Sequence, residues 1–190
     1  MPPLADRTLA ALLSEIAAAT PAPGGGSTAA VACALAAALV EMSAGPPLER
    51  AAALQARALE LADDDLSSFA PVLEAQRLPA GDETRPERLR AALSAASDTP
   101  LAIAAVGCEL AELAAGVARG GRPSLEGDAA AAALLAEAAT KAAARLVELN
   151  LAGMPDDVRL RTAGQYAARA RAARQEAAAE SAAVSRPVEG

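Results

Sequence analysis

Residues 20–44 read TPAPGGGSTAAVACALAAALVEMSA: two prolines and three glycines run straight into an alanine-rich stretch that carries a single charge. Proline lacks an amide donor and glycine forfeits backbone entropy, so Pro21, Pro23 and Gly24–Gly26 end the helix before them. Ser27 is suited to N-cap a new helix running to about Ala44, where Gly45-Pro46-Pro47 breaks the chain again. A helix so poor in bulky side chains approaches its neighbours closely.

The same alternation of apolar helix and breaker extends in both directions. Leu9, Leu12, Leu13 and Ile16 form an i, i+3, i+4, i+7 stripe that predicts an amphipathic helix over Leu4–Ala19. A third helix is expected from about Leu48 towards Ala70, with Leu54, Leu61 and Phe69 facing the core, a kink at Pro71 and a resumption to Arg77. Leu78–Asp82 reads as a loop and Arg85–Ala96 as a shorter helix. Asp98 or Thr99 caps the next one, with Pro100 in its favoured first turn. That helix carries Leu101, Ile103, Val106, Leu110 and Leu113 and ends at Gly120-Gly121. A helix from Asp128 to about Asn150 follows. Asp156 caps a last helix reaching about Ala183, after which the tail is expected to fray. The pattern predicts an all-α, antiparallel bundle of six to seven helices in one domain spanning residues 1–190.

Composition agrees. About three residues in ten are alanine, there is one Phe and one Tyr, and β-branched residues are scarce, so sheet is not expected. A net charge of −7 argues against a nucleic-acid surface. One Lys against sixteen Arg reads as a coding bias. With no His in 190 residues, Ser-His, Cys-His and His-metal mechanisms are excluded. Cys33 and Cys108 sit in apolar stretches without metal-ligand spacing and read as buried thiols, so no metal site is expected. No basic segment followed by an apolar run marks a secretory signal, and the most apolar run, Ala29–Val40, is too short to span a bilayer. A cytoplasmic protein with no membrane partner is the expectation.

Four features have the makings of a site. Three glycines before Ser27 leave free amides at a positive helix end, which can hold an anionic or flat ligand, although the sequence by itself favours a flexible turn between two helices. No Lys-Ser/Thr pair follows, so this is not a P-loop. In Asp63-Asp64-Asp65 one carboxylate can face inward while the others are solvated. Asp128 is either an N-cap or a proton-transfer group beside an apolar surface. Asn150 either stops its helix or makes a buried hydrogen bond.

In order, these features resemble the cyclodeaminase/cyclohydrolase family, which comprises the C-terminal domain of formiminotransferase-cyclodeaminase and stand-alone methenyltetrahydrofolate cyclohydrolases. The resemblance is carried by Thr20–Ala30 with Met42, by Asp65-Leu66-Ser67-Ser68-Phe69 with Ala75–Pro79, by Ala96–Ile103, and by Gly127-Asp128-Ala129 with Asn150-Leu151. It spans residues 6 to 175. Three departures stand out. Ser43–Glu49 is shorter than in the family and lacks Lys and Tyr, Arg122-Pro123 replaces Asn-Pro, and Leu146 replaces an Asn.

The resemblance implies a tetrahydrofolate derivative as substrate, with no tightly bound cofactor. It implies Asp128 as the main acid/base, Asp65 as a second catalytic carboxylate, and Pro23, Gly24, Gly25, Gly26, Ser27 and Asn150 as substrate contacts. It further implies a homodimer. The implied reaction is hydrolysis of 5,10-methenyltetrahydrofolate to the 10-formyl compound. The alternatives are ammonia release from the formimino compound, a diverged member acting on another amidine or iminium, and a non-catalytic helical partner. Hydrolysis leads because the deaminase substrate comes from a fused transferase domain, for which 190 residues leave no room.

Overall fold

A computed structural model describes residues 3–18, 20–44, 48–120 and 122–184, which form eight α-helices and no strand. They are α1 Leu9–Ala17, α2 Gly25–Ala44, α3 Glu49–Ser68, α4 Ala70–Arg77, α5 Arg85–Ala95, α6 Asp98–Gly120, α7 Glu126–Asn150 and α8 Val158–Val184. The expected break at Gly45–Pro47, Gly121 and the tail beyond 184 lie outside the described residues.

Helix α2 packs against α3, α6 and α7, while α8 covers α6 and α7. Gly25 lies opposite Leu146, and Cys33 lies in the same cluster as Thr140, so α2 and α7 run antiparallel. Most buried positions are alanines, and the largest fully buried side chains are Leu61, Ile103, Leu110, Leu151, Val40, Val72 and Val147. A methyl group contributes only about 0.8 kcal/mol on burial, so such a core depends on close approach of many small groups. The tightest crossing is at Gly107 of α6. A Cβ there would sit 3.2 Å from both the Ala136 carbonyl oxygen of α7 and Cys33 Sγ of α2. Burial pushes the Cys33 thiol up to about 12, which keeps it neutral in this buried crossing.

The element ends differ from the sequence pattern in instructive ways. The first helix is divided: Leu4–Asp6 is a 3-10 turn, and α1 starts after Thr8, whose hydroxyl accepts from the Ala11 amide at 3.2 Å. Only Leu12 of the expected stripe is buried, whereas Leu9 is 70% and Leu13 56% exposed. Pro71 belongs to the first turn of a separate helix, so the kink is a full break at Phe69 and the helix count rises to eight. Asp157, one residue beyond the expected cap, caps α8 by accepting from the Arg159 amide at 2.9 Å. The run Ala29–Val40 sits within a 20-residue helix. By length and composition alone, α2 and a second stretch within Arg85–Gly120 are sufficient to cross a bilayer, yet half of each is buried inside the bundle.

Candidate active site

The glycine loop, the end of α3, the α5–α6 corner and the C-terminal end of α7 enclose a cavity of about 170 Å³. Pro21 and Gly24–Gly26 form one wall. Asp65, Ser68 and Phe69 form the second, Ala96 and Pro100 the third, and Leu146 with Asn150 the fourth.

Asp65 organises the first two walls. Its Oδ2 accepts from both the backbone amide and the hydroxyl of Ser27, each at 2.7 Å. A carboxylate from α3 therefore caps the positive end of α2, so that helix begins at Gly25, two residues before the expected Ser27 cap. Gly26 is what makes room: a Cβ there would coincide with the Asp65 carboxyl group. Gly24 and Gly25 would meet only ordinary contacts, at 3.6 Å from the Pro21 carbonyl oxygen and 3.8 Å from Leu146. Among the described residues the Gly25 and Gly26 amides meet no acceptor, so they remain as donors at the cavity wall. Thr28 closes the turn from below, its hydroxyl donating to the Gly24 carbonyl at 2.7 Å.

Asn150 is both the last residue of α7 and an interior hydrogen-bonding group. Its Nδ2 donates to the Ala96 carbonyl at 3.0 Å, leaving Oδ1 as the acceptor it offers the cavity. The three consecutive aspartates separate as helical geometry requires. Asp65 enters the cavity, Asp63 accepts from the Leu4 amide at 2.8 Å, and Asp64 is exposed.

The structure thus brings Gly24, Gly25, Gly26, Asp65 and Asn150 together, with Ser27 behind Asp65 rather than on the cavity surface. Two expected residues lie elsewhere. Pro23, which follows a cis peptide bond, is buried on the opposite face of the loop and lines a second cavity of about 340 Å³ with Arg7, Glu15 and Leu66. Asp128 is the third residue of α7, not its N-cap, and lies 22 residues from Asn150, about 33 Å along a helix rising 1.5 Å per residue. It does not reach this cavity within one chain. Ala96, Pro100 and Ser68 also line the cavity, and no motif in the sequence signals them as site residues. A larger groove of about 450 Å³ between α4 and α5, lined by Pro71, Glu74, Leu78 and Arg88, holds none of the expected site residues.

Residues 8–46 and 44–172 match the formiminotransferase-cyclodeaminase family. The chain belongs to that family. A methenyltetrahydrofolate cyclohydrolase from Methylorubrum extorquens is 31% identical over 171 residues, which cover 80% of this chain and 82% of that protein. The crystal structure of a formiminotetrahydrofolate cyclodeaminase from Thermotoga maritima superimposes with a TM-score of 0.83 at 22% identity, covering 95% of this chain and 98% of the other. At that identity the likeness speaks for the fold. Within the family fold, the matched segments carry the glycine loop, Asp65, Asp128 and Asn150.

Proposed function

We propose that this chain is an enzyme that hydrolyses 5,10-methenyltetrahydrofolate to 10-formyltetrahydrofolate. The observation that carries the reading is the cavity formed by the glycine loop, Asp65 and Asn150, in a chain 31% identical to a methenyltetrahydrofolate cyclohydrolase. Water adds to the cationic carbon between two ring nitrogens and loses a proton. The tetrahedral carbon then collapses with cleavage of its bond to N5, and the formyl group stays on N10. The balance is one water consumed and one proton released. Asp65 supplies a negative charge facing that cation, and its free Oδ1 is an acceptor for the attacking water. The Gly25 and Gly26 amides and Asn150 Oδ1 orient the polar edge of the ring system. Chemistry of this kind proceeds without a bound cofactor, through proton transfer and electrostatic stabilisation alone.

The active unit is a homodimer in the cytoplasm. The outer face of α2 supports this, since Leu35 is 56% and Met42 47% exposed and Val31 and Leu39 lie beside them on a face free of basic residues. An isologous, antiparallel contact of α2 with its copy, centred near Leu35, sets the partner's Ala44 end beside this chain's glycine loop. By the α2–α7 register, Asp128 lies near that end. The partner's Asp128 is then the acid/base that the cavity lacks within one chain.

The primary test is loss of methenyltetrahydrofolate absorbance above the buffer rate, run alongside ammonia release from the formimino compound. Turnover of the first without the second is expected. Ammonia release alone would reassign the reaction, and neither would overturn it. Co-expressed Asp65→Asn and Asp128→Asn chains test the shared site. Half of the dimers formed are mixed and each has one intact site, so the co-expressed population should recover about a quarter of wild-type activity. No recovery would place both carboxylates in the same chain's site, and wild-type activity of Asp128→Asn by itself would remove Asp128 from the chemistry.

A further inference from the structure

Arg159, the second residue of α8, uses every donor of its guanidinium. Nε donates to Asp157 Oδ1 at 3.0 Å and Nη2 to Asp157 Oδ2 at 2.7 Å, a bidentate fork. Nη1 donates to the Ser94 carbonyl at 2.7 Å and to Asp98 Oδ1 at 2.6 Å, and Nη2 also donates to Ser94 Oγ at 2.7 Å. Ser94 lies in the last turn of α5 and Asp98 opens α6, so one side chain grips both sides of the α5–α6 corner. That corner is Ala96-Ser97. Ala96 lines the cavity, and its carbonyl is the acceptor for Asn150.

The clamp matters because α5 is otherwise held mainly by α4. Among its described residues none is buried, and it packs chiefly against α4, which is itself joined to the bundle mainly through α3. Apolar packing fixes Ala96 and Ser97 at the corner, at 2% and 0% exposure, but does not fix the direction of the Ala96 carbonyl. A planar fork does, because five directed bonds leave the guanidinium no rotational freedom. The Arg159 side chain is only 19% exposed, so the contacts are shielded more than a surface pair. The same contacts hold the Asp157 carboxyl down at about 2 through the Arg159 side-chain hydrogen bonds.

We propose that Arg159 is a positioning residue: by clamping Ser94 and Asp98 it aims the Ala96 carbonyl, which in turn aims the Asn150 amide into the cavity. The effect on catalysis rests on the cyclohydrolase reading. The effect on Asn150 does not, and this allows the two to be tested apart. Arg159→Lys keeps the charge and loses the fork. By NMR, the Asn150 side-chain amide, assigned by its disappearance in Asn150→Ala, should lose about tenfold of its exchange protection in Arg159→Lys. Unchanged protection in folded Arg159→Lys would overturn the proposal whatever the substrate. In turnover, Arg159→Lys should lower kcat/KM about tenfold in the wild-type background and by less than twofold in Asn150→Ala. Equal losses in both backgrounds would mean a general structural role and would also overturn it. Exposed Arg145→Ala should match wild type in both readouts. If wild type itself turns nothing over, the functional reading fails while the exchange measurement still decides the role of Arg159.

Discussion

Gly26 and Gly107 are both closed to a Cβ, but what closes them differs. At Gly107 the obstacles are the Thr140 hydroxyl, the Ala136 carbonyl and Cys33 Sγ, all part of a buried, uncharged three-helix crossing. At Gly26 the obstacle is a carboxylate, brought from α3 to cap α2 and to face a cavity. One glycine lets helices pack and the other lets a charge approach a helix end. In a bundle built of alanine, smallness by itself says nothing about function. The charge of what occupies the vacated space, and the cavity it faces, do.

Exchanging each glycine for alanine separates the two roles. Gly26→Ala must displace Asp65, and the expected result is a loss of turnover of about a hundredfold or more, with the helical spectrum retained. Turnover within threefold of wild type would contradict the assigned role of Asp65. Gly107→Ala overpacks the crossing and should cost about 1–3 kcal/mol in chemical denaturation. The surviving folded fraction should keep a near-normal KM, and a large rise in KM would mean that the crossing and the cavity are coupled. Acid titration sharpens the contrast at a third place. Asp157 has its carboxyl depressed to about 2, so its contribution to stability is complete above about pH 4 and is lost as pH falls towards 2. Asp157→Asn should therefore flatten the stability profile in that window, and an unchanged acid limb would remove the cap from the account. Gly25→Ala is the smallest effect. Its Cβ meets only Leu146 at 3.8 Å, so stability should change by under about 1 kcal/mol.

Helix periodicity and breakers make the bundle legible in the sequence, because Pro, Gly and Asp mark nearly every turn where the structure has one. The first helix misleads because Leu9 and Leu13 of its stripe are apolar yet exposed in the single chain, and only Leu12 is buried. That one member of the run of three aspartates faces inward is legible, since a helical turn cannot direct all three to one side; that it is Asp65 is implied only by the family resemblance. Ser27 is misread because its cap comes from a residue 38 positions away, which no local motif signals. Asp128 shows a limit of another kind: it stands near a helix start, as the sequence suggests, but helix length puts it about 33 Å from Asn150, so only a second chain could bring it to the cavity. Arg159 stayed hidden among sixteen arginines, because only the fold brings Ser94 and Asp98 to it.

The claim that the cavity beside the glycine loop performs the hydrolysis rests on the charge of Asp65. Asp65→Asn preserves an oxygen acceptor for the Ser27 amide and hydroxyl while removing that charge, so the cap survives and the electrostatics do not. The decisive measurement is methenyltetrahydrofolate turnover by Asp65→Asn beside wild type, with thermal melting as the control for folding. A fall in kcat of about a hundredfold or more is expected, with Tm lowered by only a few degrees. Wild-type kcat in a folded Asp65→Asn enzyme would contradict the claim.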